Sequence, residues 1–261
     1  MPVISMLTIG QTPRPDISGD LRRLLPQDWE LREYGALDGL TRQQAIDLCG
    51  YQGKGELLVT RMAGDARQIE LAAESVFARL QACIGLAERE GADLHLMACT
   101  GNFPAFRHEK AILYPGICQR QAAMQQGKTI GVLIPNEDQR EQIAGWWRSC
   151  GAPDILLETA DPFGDSDAVV DAAKRLKAQG ADCLCLDCFG YTTHQQKAVA
   201  ALTGLPTVLP RAFSASGSLF SAFSDCPCGP PGSGIGWSYR GPPAAAAAGS
   251  SVRCGRTDLP G

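Results

Sequence analysis

No run of about 18 consecutive apolar residues occurs in the sequence, and no charged segment leads into a long apolar stretch at its N-terminus. Neither a membrane span nor an export signal is expected, so the chain is expected to be soluble and cytoplasmic. A basic stripe is also missing: 24 Lys and Arg are scattered among 28 Asp and Glu, for a net charge of −4. Nucleic acid is therefore not an expected partner. No Gly-x-Gly-x-x-Gly or Walker-type loop is found, which removes support for dinucleotide or nucleoside triphosphate chemistry. What the 261 residues do hold is 44% apolar content, enough for one large core or two small ones, and 11 cysteines. An odd number of cysteines at irregular spacing, with no export signal, reads as reduced thiols rather than a disulfide framework.

From residue 1 to about 223, short apolar runs alternate with segments of helical composition, the pattern of an α/β protein with parallel sheets. Strands are expected over 3–9, 29–34, 56–60, 93–98, 129–134, 154–159, 182–187 and 206–210, and helices over 67–90, 137–150, 167–179 and 194–203. Gly91, Gly151, Gly180 and Gly204 follow those helices, where a left-handed C-terminal stop favours glycine. The expected division is a first domain of 1–116 with 207–224 and a second of 117–206. Residues 225–261 hold eight glycines and six prolines without helical or strand period, and are expected to be disordered. Cys226, Cys228 and Cys254 in that tail make a poor match to structural zinc spacing. The compositional break there is of the kind that a shifted reading frame produces.

One repeat organises the functional reading. GADLHLMACTGN (91–102) and GADCLCLDCFGY (180–191) share Gly-Ala-Asp, a cysteine eight residues after that glycine, and a second glycine ten residues after it. In each copy a helix ends, a strand follows, and the cysteine falls where the strand gives way to a loop. Ligands of doubly wound sheets bind beyond the carboxyl ends of strands, so facing halves would bring Cys99 and Cys188 into one cleft. The plainer alternative is that this junction is common and the cysteines coincide. Thr100, Gly101 and Asn102 after Cys99, and Gly190, Tyr191 and Thr192 after Cys188, are small or hydroxyl-bearing residues suited to carboxylate oxygens. A thiol at a helix N-terminus would also have its thiolate favoured. In LTIGQTPRPD (7–16), Gly10 permits a sharp turn, and Arg14, with Thr8, Gln11 and Thr12, suits an anion; the alternative is a well-capped helix entry.

Other thiols and histidines read more plainly. Cys49, Cys83, Cys118 and Cys150 fit as small buried hydrophobes. Cys183, Cys185 and Cys188 spell C-x-C-x-x-C, but in an extended strand the third sulfur faces away from the other two, an argument that lapses if the strand ends before Asp187. No metal is assigned. Asp187 either orients the neighbouring thiol or merely ends a strand. His194 could assist Cys188 or lie exposed on its helix, and His95 reads as a satisfied core residue.

Taken together, TIGQTPRPD, LLVTRMAGD (57–65), MACTGNFP, GVLIPNEDQ and LDCFGYT resemble the AroM family, which is similar to the aspartate/glutamate racemase superfamily. The resemblance runs over residues 3 to about 223. It implies two similar α/β domains about a pseudo-twofold axis, no cofactor, and a cleft in which Cys99 serves one face of the substrate's acidic carbon and Cys188 the other. Racemases usually follow the first cysteine with Asn-Thr and the second with Thr-His; this chain has Thr100-Gly101-Asn102 and Phe189-Gly190-Tyr191 instead. The expected activity is thiol-mediated proton transfer on a small carboxylic acid, as a racemase, isomerase or decarboxylase. Rival readings are a carboxylate-binding regulatory protein and a thiol redox protein using Cys183, Cys185 and Cys188. A homo-oligomer is compatible with either.

Overall fold

The computed structural model describes residues 1–65, 67–152 and 154–213; the expected tail lies outside them. In chain order the elements are β1 (Val3–Thr8), α1 (Pro15–Leu24), β2 (Glu30–Gly35), α2 (Arg42–Cys49), β3 (Leu57–Arg61), β4 (Gln68–Ala72), α3 (Ala73–Arg89), β5 (Leu94–Met97), β6 (Ile112–Leu113) and α4 (Pro115–Gln126). There follow β7 (Thr129–Ile134), α5 (Arg140–Ser149), β8 (Asp154–Thr159), α6 (Ser166–Ala178), β9 (Cys183–Leu186), α7 (Thr193–Thr203), β10 (Thr207–Val208) and α8 (Pro210–Phe213). None of these helices is long and apolar enough to cross a membrane.

The two halves share one topology. The first sheet runs β2-β1-β5-β6 and the second, read from its other edge, β8-β7-β9-β10. Every pairing in both sheets is parallel. Strands covered on both faces must be apolar throughout, which is why the runs are nearly continuous. Ile4 and Met6 of β1 pack with Ile17 and Leu21 of α1. On the opposite face Leu7 packs with Val76, Leu80 and Ile84 of α3. In the second sheet Leu133, Leu184 and Leu186 pack with α6, whereas Ile130, Val132, Cys183 and Cys185 pack with Trp146 and Trp147 of α5.

The Gly-Ala-Asp repeat has a specific structural role. Gly91 and Gly180 stop their helices with φ of +85° and +102°, a conformation that L side chains adopt only with strain. The buried alanines send their amides back to the helix, Ala92 to the Ala87 carbonyl and Ala181 to the Leu176 carbonyl. The aspartates then latch the neighbouring strand. Asp93 Oδ2 accepts the Val3 amide at 2.9 Å, and Asp182 Oδ1 accepts the Thr129 amide at 3.0 Å. The same three residues thus fix helix end, strand start and register in each half.

Several expectations need correction. Residues 68–72 form a strand, not the start of a helix: Ile69 and Leu71 face the core while Gln68 and Glu70 do not, a period of two that suits pairing with β3. The helix begins at Ala73. Thr207 and Val208, grouped with the first half by sequence, pair with β9 and extend the second sheet. Only after them does α8 return to the first half, through Arg211. Cys150 is exposed at the end of α5 rather than buried. His95 behaves as expected, buried between Ser5 Oγ at 2.5 Å and Glu88 Oε1 at 3.3 Å.

The expected cost of Gly180→Ala is about 1–2 kcal/mol, because alanine cannot adopt that φ without strain. Urea unfolding monitored by circular dichroism checks this through a lowered midpoint at unchanged slope.

Candidate active site

In parallel sheets of this strand order, the central pair of strands leads its connections to opposite sides, which opens a crevice beyond their carboxyl ends. Here the central pairs are β1 with β5 and β7 with β9. Residues immediately past those four strands line one shared cavity of about 40 Å³: Ile9, Cys99, Pro135 and Cys188. Space for a few waters or a very small molecule is what such a volume allows. The hairpin β3–β4, an insertion in the first half, covers it with Leu58, Val59 and Thr60, and α5 adds Ile143 and Trp146.

The two thiols are built alike. Beyond β5 the Cys99 amide bonds back to the Met97 carbonyl at 2.8 Å; beyond β9 the Cys188 amide bonds to the Leu186 carbonyl at 2.9 Å. Each sulfur then accepts the amide of the glycine two residues on, Gly101 at 3.5 Å and Gly190 at 3.3 Å. That glycine holds the second spacing that the two copies of the repeat share. At Gly190 a side chain has no room, since a Cβ would fall 2.8 Å from Phe163 Cζ. The halves are joined at the cavity lining, where Thr100 Oγ1 donates to the Asp187 carbonyl at 3.3 Å.

Neither thiol sits at a helix N-terminus, because α4 begins only at Pro115 and α7 at Thr193. The expected stabilisation of a thiolate by a helix end is therefore missing. Burial instead pushes the Cys99 thiol up to about 11, with the Gly101 amide opposing and the Asp187 carboxylate adding to the rise. The Cys188 thiol is pushed up to about 12 by burial, opposed by the Gly190 amide and raised further by Cys99 and Asp187. Asp187 itself is buried, held by Gln119 Nε2 and by Trp147 Nε1 at 2.8 Å. Because β9 ends at Leu186, the strand-parity argument does not govern Cys188. Cys183 and Cys185 nevertheless remain on one face of β9 against α5, away from the cavity lining.

The remaining sequence candidates divide. Thr8, Arg14, Thr100, Gly101 and Gly190 line the cavity with the cysteines. Gly10, Gln11, Asn102, Tyr191 and Thr192 do not. Gly10 is needed for close approach, since a Cβ there would lie 2.5 Å from Thr60 Oγ1 and 2.9 Å from the Arg61 carbonyl. Gln11 ties loops together, donating to the Leu40 carbonyl at 3.0 Å and accepting from the Ala63 amide at 3.2 Å. Thr12 donates to Asp38 at 2.8 Å. Asn102 accepts from Arg120, and Tyr191 is fully buried with its hydroxyl on the Ala160 carbonyl at 2.6 Å. Thr192 caps α7 in a capping box with Gln195. His194 is exposed on α7.

Arg14 is buried, with Nε and Nη2 on the Asp16 carboxylate at 3.0 and 2.8 Å. Arg61 reaches the same carboxylate at 2.8 Å and lies over the Phe163 ring at 4.1 Å. Burial alone would raise the Asp16 carboxyl, but the hydrogen bonds and charges of Arg14 and Arg61 outweigh it and hold it down at about 2. Two guanidinium groups thus share one carboxylate, a second carboxylate, Glu33, takes the Arg14 amide at 2.6 Å, and of these side chains Arg14 lines the cavity. Sequence reasoning missed Phe163, Gln119, Arg120, Trp147 and Arg211, which come from segments far apart along the chain and carry no local motif; it quoted Arg61 within LLVTRMAGD but gave it no role.

Matched parallel sheets with a thiol past the third strand of each define a two-domain α/β fold. Solved structures agree at the level of fold. Allantoin racemase from Klebsiella pneumoniae aligns at a TM-score of 0.55 and 14% identity, over 86% of this chain and 88% of that one. A liganded variant of arylmalonate decarboxylase aligns at 0.58 and 13%, over 86% and 92%. Glutamate racemase from Francisella tularensis in complex with D-glutamate aligns at 0.54 and 10%, over 86% and 81%. No curated protein matches the chain in sequence. The family model described as AroM protein matches residues 4–216, and the chain belongs to that family.

Folded thiols that hold their protons more tightly than unfolded ones contribute stability that is present below pH 9 and lost as pH rises toward 11 and 12. A Cys99→Ala, Cys188→Ala variant is expected to lose stability less steeply than the parent above pH 9. Urea midpoints measured from pH 8 to 11 check this.

Proposed function

We propose that the protein is a cofactor-independent racemase- or isomerase-like enzyme, in which Cys99 and Cys188 move a proton at the acidic carbon of a small carboxylic acid. One observation carries the reading: the two cysteines of the repeat line a single cavity, each with its sulfur bonded by the glycine amide two residues on. One cysteine, as thiolate, takes the proton from carbon; the opposite thiol returns a proton to the other face and becomes the thiolate. Charge developing on the substrate's carboxylate falls near Arg14, whose Asp16 contact fixes its plane. The Thr8 hydroxyl, which accepts the Gly10 amide and keeps its own proton to give, is a further donor at the cavity, while the glycine amides serve the sulfurs. Apolar walls from Ile9, Leu58, Ile143 and Phe163 lower the local polarity, which strengthens those contacts.

The demand on the site is large. With thiols near 11 and 12, about one molecule in ten thousand or fewer carries a thiolate at pH 7. The rate with free enzyme and substrate is therefore expected to climb about tenfold per pH unit from pH 7 to 10. The same burial favours a second reading, in which the cavity binds a small carboxylate and turns nothing over.

In deuterated water, a panel of small carboxylic acids is expected to gain label at the α carbon with the native protein. Cys99→Ser or Cys188→Ser should cut this at least about a hundredfold, the scale of lost acid–base catalysis. Proton NMR reads it directly. If no acid in a broad panel exchanges above the double serine variant, while thermal shift still reports binding that survives removal of the thiols, the non-catalytic reading stands instead.

A further inference from the structure

Two arginines are among the largest fully buried side chains of the protein, Arg120 at 1% exposure and Arg211 at 0%. They lie on corresponding elements at different positions. Past its cysteine each half reaches a two-residue edge strand, β6 directly or β10 after α7, and then a helix that opens with proline; Arg120 lies five residues beyond Pro115 of α4 and Arg211 one residue beyond Pro210 of α8. Both helices work across the halves: α4 packs on β9 and α8, while Arg211 of α8 reaches Asp20 Oδ2 of α1 at 3.1 Å.

Both guanidinium groups return to a cysteine loop. Arg120 Nη2 donates to the Thr100 carbonyl at 2.7 Å, and Nη1 to Asn102 Oδ1 at 3.3 Å. Arg211 Nε donates to the Phe189 carbonyl at 2.8 Å, and Nη2 to the Gly190 carbonyl at 2.9 Å. Thr100 follows Cys99, and Phe189 follows Cys188. The Thr100 carbonyl and the Gly101 amide belong to one rigid peptide unit, and so do the Phe189 carbonyl and the Gly190 amide. In a trans peptide these two groups point opposite ways. An arginine that grips the carbonyl from one side therefore aims the amide at whatever lies on the other, and in both halves that is the cysteine sulfur.

We propose that Arg120 and Arg211 are a matched pair of positioning residues, each acting through a single peptide plane to aim one amide, and a share of positive charge, at the sulfur of its own half. The proposal rests on the reading of Cys99 and Cys188 as the reacting groups. A guanidinium on the carbonyl polarises the peptide and strengthens the amide as a donor, most of all to a thiolate. The electrostatics run the same way. Against the dominant effect of burial, and against Asp187, the Gly101 amide and the Arg120 charge both pull the Cys99 thiol down. For Cys188, burial, Cys99 and Asp187 are opposed by the Gly190 amide and Arg211. The two relays draw on different partners. Arg120 lies over the Trp146 ring at 5.6 Å, and its Nε has no hydrogen-bond partner among the described residues, whereas Arg211 is paired with Asp20.

The test reads each thiol separately and needs no substrate. Native protein, Arg120→Met and Arg211→Met are alkylated with iodoacetamide from pH 7 to 10, and the rate at Cys99 and at Cys188 is followed by peptide mass spectrometry. Arg211→Met is expected to slow Cys188 about tenfold, as a tenfold smaller thiolate fraction would, and to leave Cys99 within about twofold. Arg120→Met should do the reverse. Equal slowing of both thiols, or of neither, overturns the proposal. General unfolding shows itself as faster alkylation of the core cysteines Cys183 and Cys185; in that event the Arg→Lys variants decide. Lysine keeps the charge but cannot fork, so a loss of about threefold confined to the variant's own thiol supports the relay, and an unselective change sinks it. Selective alkylation without label exchange would retain the relay and remove the catalytic reading; label exchange without selectivity would do the opposite.

Discussion

Two parallel sheets of identical strand order, set with their carboxyl edges toward one another, impose the constraint from which the rest follows. A central strand pair in such a sheet opens a crevice only beyond its carboxyl end, so the residues that can meet are those just past β1, β5, β7 and β9. Cys99 and Cys188 hold two of those four places. Everything that keeps the strands in register, above all the latching of β1 by Asp93 and of β7 by Asp182, also fixes where the sulfurs lie.

Symmetry of the backbone does not extend to the lining. The first half contributes an extra hairpin, β3–β4, whose Thr60 packs so closely on Gly10 that no side chain fits there. The second contributes Asp187, a buried carboxylate one residue before its thiol, where the first half has Ala98. The lining is thus a pseudo-symmetric pair of thiols together with Asp187 and with Arg14, whose guanidinium is paired with Asp16. Burial dominates the chemistry of both sulfurs, and the amides, arginines and Asp187 divide the smaller remaining adjustment between them.

Much of the frame was legible in the sequence. Gly91, Gly180 and Gly204 mark helix ends because a left-handed stop has a residue signature, and the long apolar runs mark buried strands because both faces are covered. The repeat announced the paired thiols. Less legible was the strand at 68–72, where a period of two is short enough to read equally as part of the following helix. Gln11, Asn102, Tyr191 and Thr192 carry the right chemistry for a site but spend it on loops, Arg120, buried carbonyls and a helix cap. Arg120 and Arg211 were invisible for the opposite reason: buried arginine has no sequence signature, and their partners lie in loops that only the fold brings near.

The claim that Cys99 and Cys188 face each other across one cavity is tested most directly by a short alkylating agent with two reactive arms, such as dibromobimane, followed by proteolysis and mass spectrometry. The account predicts a bridged peptide pair joining Cys99 to Cys188, lost when a small carboxylate that binds the cavity is present in excess. Separate adducts on the two cysteines, with no bridge between them, would contradict it.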